Sequence, residues 1–205
     1  MDSSDETLSV SSESSNPYKR ITRRIDSVKI RSNQKKDIEV NVSETTDLCM
    51  SRDNPIRAGA IIYTKKDGET YFCLGVDTQS GNLTDFGGGV KKDECVLDGA
   101  LRELAEESLS VFGVIYKDDI NKSTTFHTSN MAIVFIPLDV NMEEIHEGFQ
   151  EKLREKESEK EPTEVCDIVW LDAKDFLESI HGRGLKLYIR VRKLLAKVTK
   201  EISEL

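Results

Sequence analysis

Strand-like apolar runs that alternate with helix-periodic segments predict an α/β fold for this chain. Three observations carry that expectation. IRAGAIIY at 56–63 and TYFCLGV at 70–76 flank Asp67-Gly68, a dipeptide suited to a tight hairpin turn. Met142, Ile145, Phe149 and Leu153 recur at helical spacing. Tyr188, Val191, Leu195, Val198, Ile202 and Leu205 form the apolar stripe of a last helix that starts near Leu185.

In order along the chain, residues 1–50 read as a disordered extension and residues 51–205 as the folded domain, which begins near Ile56. The first 18 residues hold Asp2, Asp5, Glu6 and Glu13, many serines and no basic residue, a composition that buries too little apolar surface to order itself. Residues 19–36 reverse the sign, with Lys19, Arg20, Arg23, Arg24, Lys29, Arg31, Lys35 and Lys36 against Asp26. That segment is either a phosphate-tracking arm for nucleic acid or a solvated basic tail. A short strand is expected at 37–42. After the hairpin, residues 83–86 lead into a glycine loop and a carboxylate-bearing helix. VFGVIYK (111–117) and MAIVFIPL (131–138) read as strands on either side of a polar loop. A charged stretch to about Glu161 follows the amphipathic helix, then the strand VCDIVWL (165–171) and a short helix at 172–179. On the last helix Arg190, Lys193, Lys197 and Lys200 share a face, which is a wet surface or a grip for RNA phosphates.

Composition narrows the class. At 205 residues the chain suits one sizeable core. No apolar run approaches the ~20 residues that span a bilayer, and the amino-terminal stretch lacks a cationic start followed by an apolar run. Cys49, Cys73, Cys95 and Cys166 stand singly, which reads as unpaired thiols in a reducing, cytoplasmic compartment. The net charge of −9 opposes nucleic acid on average, although its distribution is uneven. No residue pattern marks an oligomer face.

The most informative stretch is GGGVKKDECVLDGALRELAEES, residues 87–108. Glycines allow close approach of backbone to a phosphate or metal, which makes Gly88 and Gly89 the candidate substrate contacts. On the helix, Glu103 and Glu107 are i,i+4 neighbours with Glu106 beside them. Two such charges ~4 Å apart repel by roughly 4 kcal/mol at an effective dielectric of ~20, so a cation belongs among them. Mg²⁺ or Mn²⁺, hard ions that take carboxylate oxygens, suit that need.

The spacing of Gly88, Glu94, Arg102, Glu103, Glu106 and Glu107, with Leu104 in an apolar slot, resembles the Nudix box of the Nudix hydrolase superfamily, here over residues 88–110. Six such matches arise by chance at roughly one in 10⁷ per starting position. Leu109 and Ser110 depart from the family, which has Gly and then an aliphatic residue there. The helix is therefore expected to run on to about Leu109 or to end without a Gly cap. Asp93 stands where Gly is frequent and suits a helix N-cap.

The resemblance implies a Nudix-like α/β/α sandwich with a mixed β-sheet. It also implies metal-dependent cleavage of a diphosphate linkage in a nucleoside diphosphate joined to another group. Glu106 and Glu107 would be metal ligands, with Glu103 a ligand or the group that orients water. Arg102 would hold the carboxylates, Glu94 would pair with it or bind metal through water, and the Gly87 carbonyl would be a further metal contact. The general base is Glu103, or Glu161 or Glu164 on the loop before VCDIVWL. Three substrate readings stay open: capped RNA, cut to release m⁷GDP and gripped by residues 19–36 and the last helix; a small nucleotide; or a bound ligand without catalysis.

Overall fold

The computed structural model describes residues 40–44 and 56–205. The expectations for residues 1–36, and residues 37–39 of the strand expected at 37–42, lie outside them; Asn41 and Val42 are in a strand. The described strands form one mixed sheet: β1 (Asn41–Glu44), β2 (Arg57–Lys66), β3 (Glu69–Asp77), β4 (Leu83–Thr84), β5 (Phe86–Gly89), β6 (Thr124–His127), β7 (Met131–Pro137) and β8 (Val165–Asp172). β2 and β7 run parallel and the other pairs are antiparallel. β1 pairs with β6, so the sheet takes in a strand that precedes residue 51, and the compact unit spans Ile38–Leu205.

Asp67 and Gly68 make the β2–β3 hairpin turn with φ of 54° and 84°, a pair of left-handed residues that matches strand twist. Beyond the turn the two strands part. β2 pairs with β3 from Ile62 to Lys66 and with β5 from Arg57 to Ala60, while β4 pairs with β3 at Gly75 and Val76. The chain thus crosses from the edge of β3 to the edge of β2 at Asp85. This crossing positions the site.

Six helices accompany the strands among the described residues: α1 (Val96–Glu107), α2 (Lys117–Asn121), α3 (Met142–Glu159), α4 (Ala173–Ile180), α5 (Ile189–Leu195) and α6 (Thr199–Ile202). Alternation along β2 separates two cores. Ala58, Ala60 and Ile62 meet Val96, Ala100 and Leu104 of α1 and Phe149 and Leu153 of α3. Ile61 and Tyr63 meet Phe176 and Ile180 of α4, Val191, Leu194 and Leu195 of α5, and Ile202 of α6. Helices therefore cover both faces, and the fold is an α/β/α sandwich. No described helix is long and apolar enough to cross a membrane.

Four local expectations are corrected. VFGVIYK is not a strand: Gly113 turns the chain at φ 66°, Val111, Phe112 and Ile115 pack on the core from a loop, and α2 begins at Lys117. The strand lies in the supposed polar loop, where β6 carries fully buried Thr125 and Phe126 between β1 and β7. The last helix starts at Ile189 and not near Leu185, and it is broken into α5 and α6 around Ala196–Val198; its apolar stripe packs on the core, with Tyr188 and Leu205 only partly buried. Cys73 and Cys166 are free, but Cys95 is disulfide-bonded; spacing along a chain does not reveal which thiols the fold brings together.

Candidate active site

The glycine run is not a flexible loop. Gly87, Gly88 and Gly89 lie in β5, paired with Gly59, Ala58 and Arg57 of β2. At Gly87 and Gly88 the lack of a side chain serves close packing. A Cβ on Gly87 would stand 2.5 Å from the Gly59 Cα, and one on Gly88 would stand 2.6 Å from both Glu103 carboxylate oxygens. Gly88 therefore cradles Glu103. A Cβ on Gly89 would meet nothing within 4 Å.

α1 begins one residue after Cys95, whose Sγ accepts from the Asp98 N–H at 3.5 Å; the N-cap is Cys95 and not Asp93. Its other end closes without glycine. Ser110 N–H donates to the Ala105 carbonyl at 2.8 Å and Leu109 N–H to Glu106 at 3.4 Å, the bonds of a Schellman turn. That turn demands a left-handed residue, and Leu109 and Ser110 supply it at φ 55° and 57°. Leu109 is buried in the core, which offsets the strain.

Arg102 organises the carboxylates. Its Nε and Nη2 donate to Glu94 at 2.8 and 3.0 Å, Nη1 to Glu103 at 2.6 Å and Glu106 at 3.3 Å, and Nη2 also to the Gly89 carbonyl at 2.9 Å. The hydrogen bonds from Arg102, then that from the Lys91 N–H, hold Glu94 down at about 2. The bonds to Glu94 and Glu103 raise Arg102 in turn. Among the described residues no three acidic, His or Cys side chains converge as a ready metal cage. Arg102 bridges Glu103 and Glu106, while Glu107 turns towards β5.

Glu107 Oε2 accepts the Gly87 N–H at 2.8 Å. Burial, reinforced by the charges of Asp85 and Glu164, pushes its pKa up to about 8 against the Gly87 hydrogen bond and Arg57. Glu164 is thus within electrostatic reach of the site. Glu161 is engaged elsewhere, by Lys156 at 2.6 Å. Beside Glu106 a cavity of about 530 Å³ opens between the end of α1 and α3, lined also by Ser110, Lys152, Glu155 and Lys156. Lys152 donates to the Leu109 carbonyl at 2.9 Å.

Two residues escape the sequence reading. Arg57 pairs with the fully buried Asp85 through two hydrogen bonds of 2.7 and 2.8 Å and donates to the Gly87 carbonyl at 2.9 Å. That carbonyl, expected as a metal contact, is held by a guanidinium. A lone Arg opening an apolar run was the available signal; its partner stands 28 residues away and no local spacing announces it.

No protein-family model and no curated protein sequence matches the chain. Solved structures do resemble it. A C. elegans Ap4A hydrolase is 17% identical over 71% of this chain and 96% of its own, with a TM-score of 0.42. A Nudix hydrolase from M. smegmatis, RenU, is 10% identical over 75% and 88%, with a TM-score of 0.45. The Bacillus subtilis pyrophosphohydrolase BsRppH is 15% identical over 80% and 89%, also at 0.45. Likenesses this distant assign no chemistry, which must come from the side chains.

Proposed function

We propose that this chain is a divalent-metal-dependent pyrophosphohydrolase, which cleaves a diphosphate linkage in a nucleoside diphosphate joined to another group. One observation carries the reading: Glu103, Glu106 and Glu107 are presented from one helix against a glycine strand, with Arg102 clamped across Glu94, Glu103 and Glu106. A solvated acidic face needs neither the clamp nor the glycine cradle.

By donor type the set suits Mg²⁺ or Mn²⁺, an ion that would draw together side chains that do not converge on their own. All three side chains offer hard oxygens, and Gly88 leaves Glu103 the space a Cβ would fill. Desolvation raises the pKa of half-buried Glu107, and a cation beside it would favour its charged form. When bound, the ion stabilises charge on phosphoryl oxygens and activates water. Arg102 keeps Glu94 charged and orients Glu103, and open Gly89 lets a phosphate approach β5. Glu164 is preferred over Glu161 as the base outside the helix, because Lys156 engages Glu161. Glu103 remains the competing base.

Capped RNA is the finer reading. It draws on the basic segment 19–36 and on Arg190, Lys193, Lys197 and Lys200, which are all exposed on α5, α6 and the turn between them. Product analysis tests both levels. The purified chain would be incubated with Mg²⁺ or Mn²⁺ and with cap-labelled RNA, free cap analogue or a panel of nucleoside diphosphate compounds. Release of m⁷GDP from long RNA alone establishes decapping. Cleavage of a small nucleotide with RNA intact makes it a metabolite hydrolase. Absence of turnover on every substrate, with ligand still bound, would replace catalysis by a binding role.

A further inference from the structure

Asp85 is the one fully buried carboxylate among the described residues, and it sits where the chain leaves β3 and joins β2. Gly59 and Gly87, cross-strand partners, make room for it: a side chain at Gly59 would collide with the Asp85 carboxylate, and one at Gly87 would stand 3.0 Å from it. Arg57, with its side chain 15% exposed, closes over it with a two-pronged pair. Burying two charges costs desolvation that their attraction barely offsets, so stability alone is a poor reason for such a pair.

The geometry gives it another. The Arg57 guanidinium that grips Asp85 also holds the Gly87 carbonyl, and the N–H of that same residue holds Glu107. Gly87 has no side chain to restrict its two soft dihedrals. With Arg57 on its carbonyl, the peptides that meet at Gly87 are pinned, and the N–H keeps its aim.

We infer that Arg57 and Asp85 are positioning residues, which orient the Gly87 backbone and thereby place the Glu107 carboxylate. This rests on the reading of Glu107 as a metal-binding carboxylate. Asp85 anchors the guanidinium from the buried side; Arg57 transmits that anchor to β5. Neither needs to touch substrate.

The test compares the full chain with Arg57→Lys, Asp85→Asn and, alongside, Glu107→Gln. Arg57→Lys keeps the charge and loses the fork. Three readouts are taken: circular dichroism melts, Mn²⁺ binding by electron paramagnetic resonance of the free ion, and kcat and KM separately. Folded Arg57→Lys should bind Mn²⁺ about ten- to a hundred-fold more weakly and lose kcat with KM little changed. Asp85→Asn, if folded, should do the same. Wild-type Mn²⁺ affinity and kcat in either folded variant would overturn the inference, and so would loss of folding in both, which would make the pair structural. Unchanged Mn²⁺ affinity in Glu107→Gln would instead sink the site reading beneath it. The two failures are thus distinguishable.

Discussion

The Gly87 N–H donates to Glu107 Oε2 over 2.8 Å, yet the Glu107 carboxyl titrates at about 8 because burial outweighs that bond. The native state therefore holds a proton that the unfolded chain has already released near 4.5. In the metal-free protein the Glu107 contribution to stability is full below about 4.5 and is lost as pH rises towards about 8. Glu107→Gln should remove that fall. Thermal melts in chelator at pH 5 and pH 8 check it; the same pH dependence in both proteins would refute the assignment.

Arg102→Met should act in the opposite pH range. Glu94 is held down at about 2, so its contribution is present above 4.5 and is lost as pH falls towards 2. Without Arg102 that acid-side loss should disappear from the melts. Turnover should fall at least about tenfold, since Glu103 and Glu106 lose their common partner. Arg102→Lys should rescue little, because an ammonium cannot span three carboxylates. Full rescue by Lys would show that charge alone is required.

Gly88→Ala tests the cradle. The new methyl would meet the Glu103 carboxylate at 2.6 Å and force it to shift. We expect Mn²⁺ affinity to drop by about tenfold while the far-ultraviolet spectrum is kept. Gly89→Ala, which meets nothing within 4 Å, should leave Mn²⁺ affinity alone and raise KM if substrate approaches there. Equal effects at the two positions would remove the distinction between them.

The candidate bases separate by charge environment. Glu164→Gln should lower kcat and shift its pH profile, whereas Glu161→Gln should change neither, since Glu161 already pairs with Lys156. A kcat loss confined to Glu161→Gln would reverse the assignment.

Ser110→Gly should stabilise the chain. Ser110 sits exposed at φ 57°, a conformation that strains any residue with a Cβ, and its backbone bond to Ala105 survives the change. The gain should be about 0.5–1 kcal/mol, or roughly 2–3 °C in Tm. Leu109→Gly should instead destabilise, because the strain it relieves at φ 55° is outweighed by the loss of a buried leucine. A lower Tm for Ser110→Gly would show that the left-handed turn is not strained.

What the amino-acid string determined by itself was local. Asp67-Gly68 announced its hairpin because the turn needs two left-handed residues, and Glu103, Glu106 and Glu107 cluster on one side of α1 because 3.6 residues make a turn. The unbroken apolar run of β2 reflects burial on both faces, and the periodicity of α3 reflects burial on one. What only the tertiary structure decided was who meets whom across the chain. Val111–Tyr116 has the composition of a strand, but strand pairing went to the Thr-rich segment that lay between β1 and β7. Gly87–Gly89 looked like a loop until Gly59 came opposite to pack against it. Arg57 and Asp85 found each other because β2 and β5 close side by side, and a buried charge must take whichever partner the fold delivers.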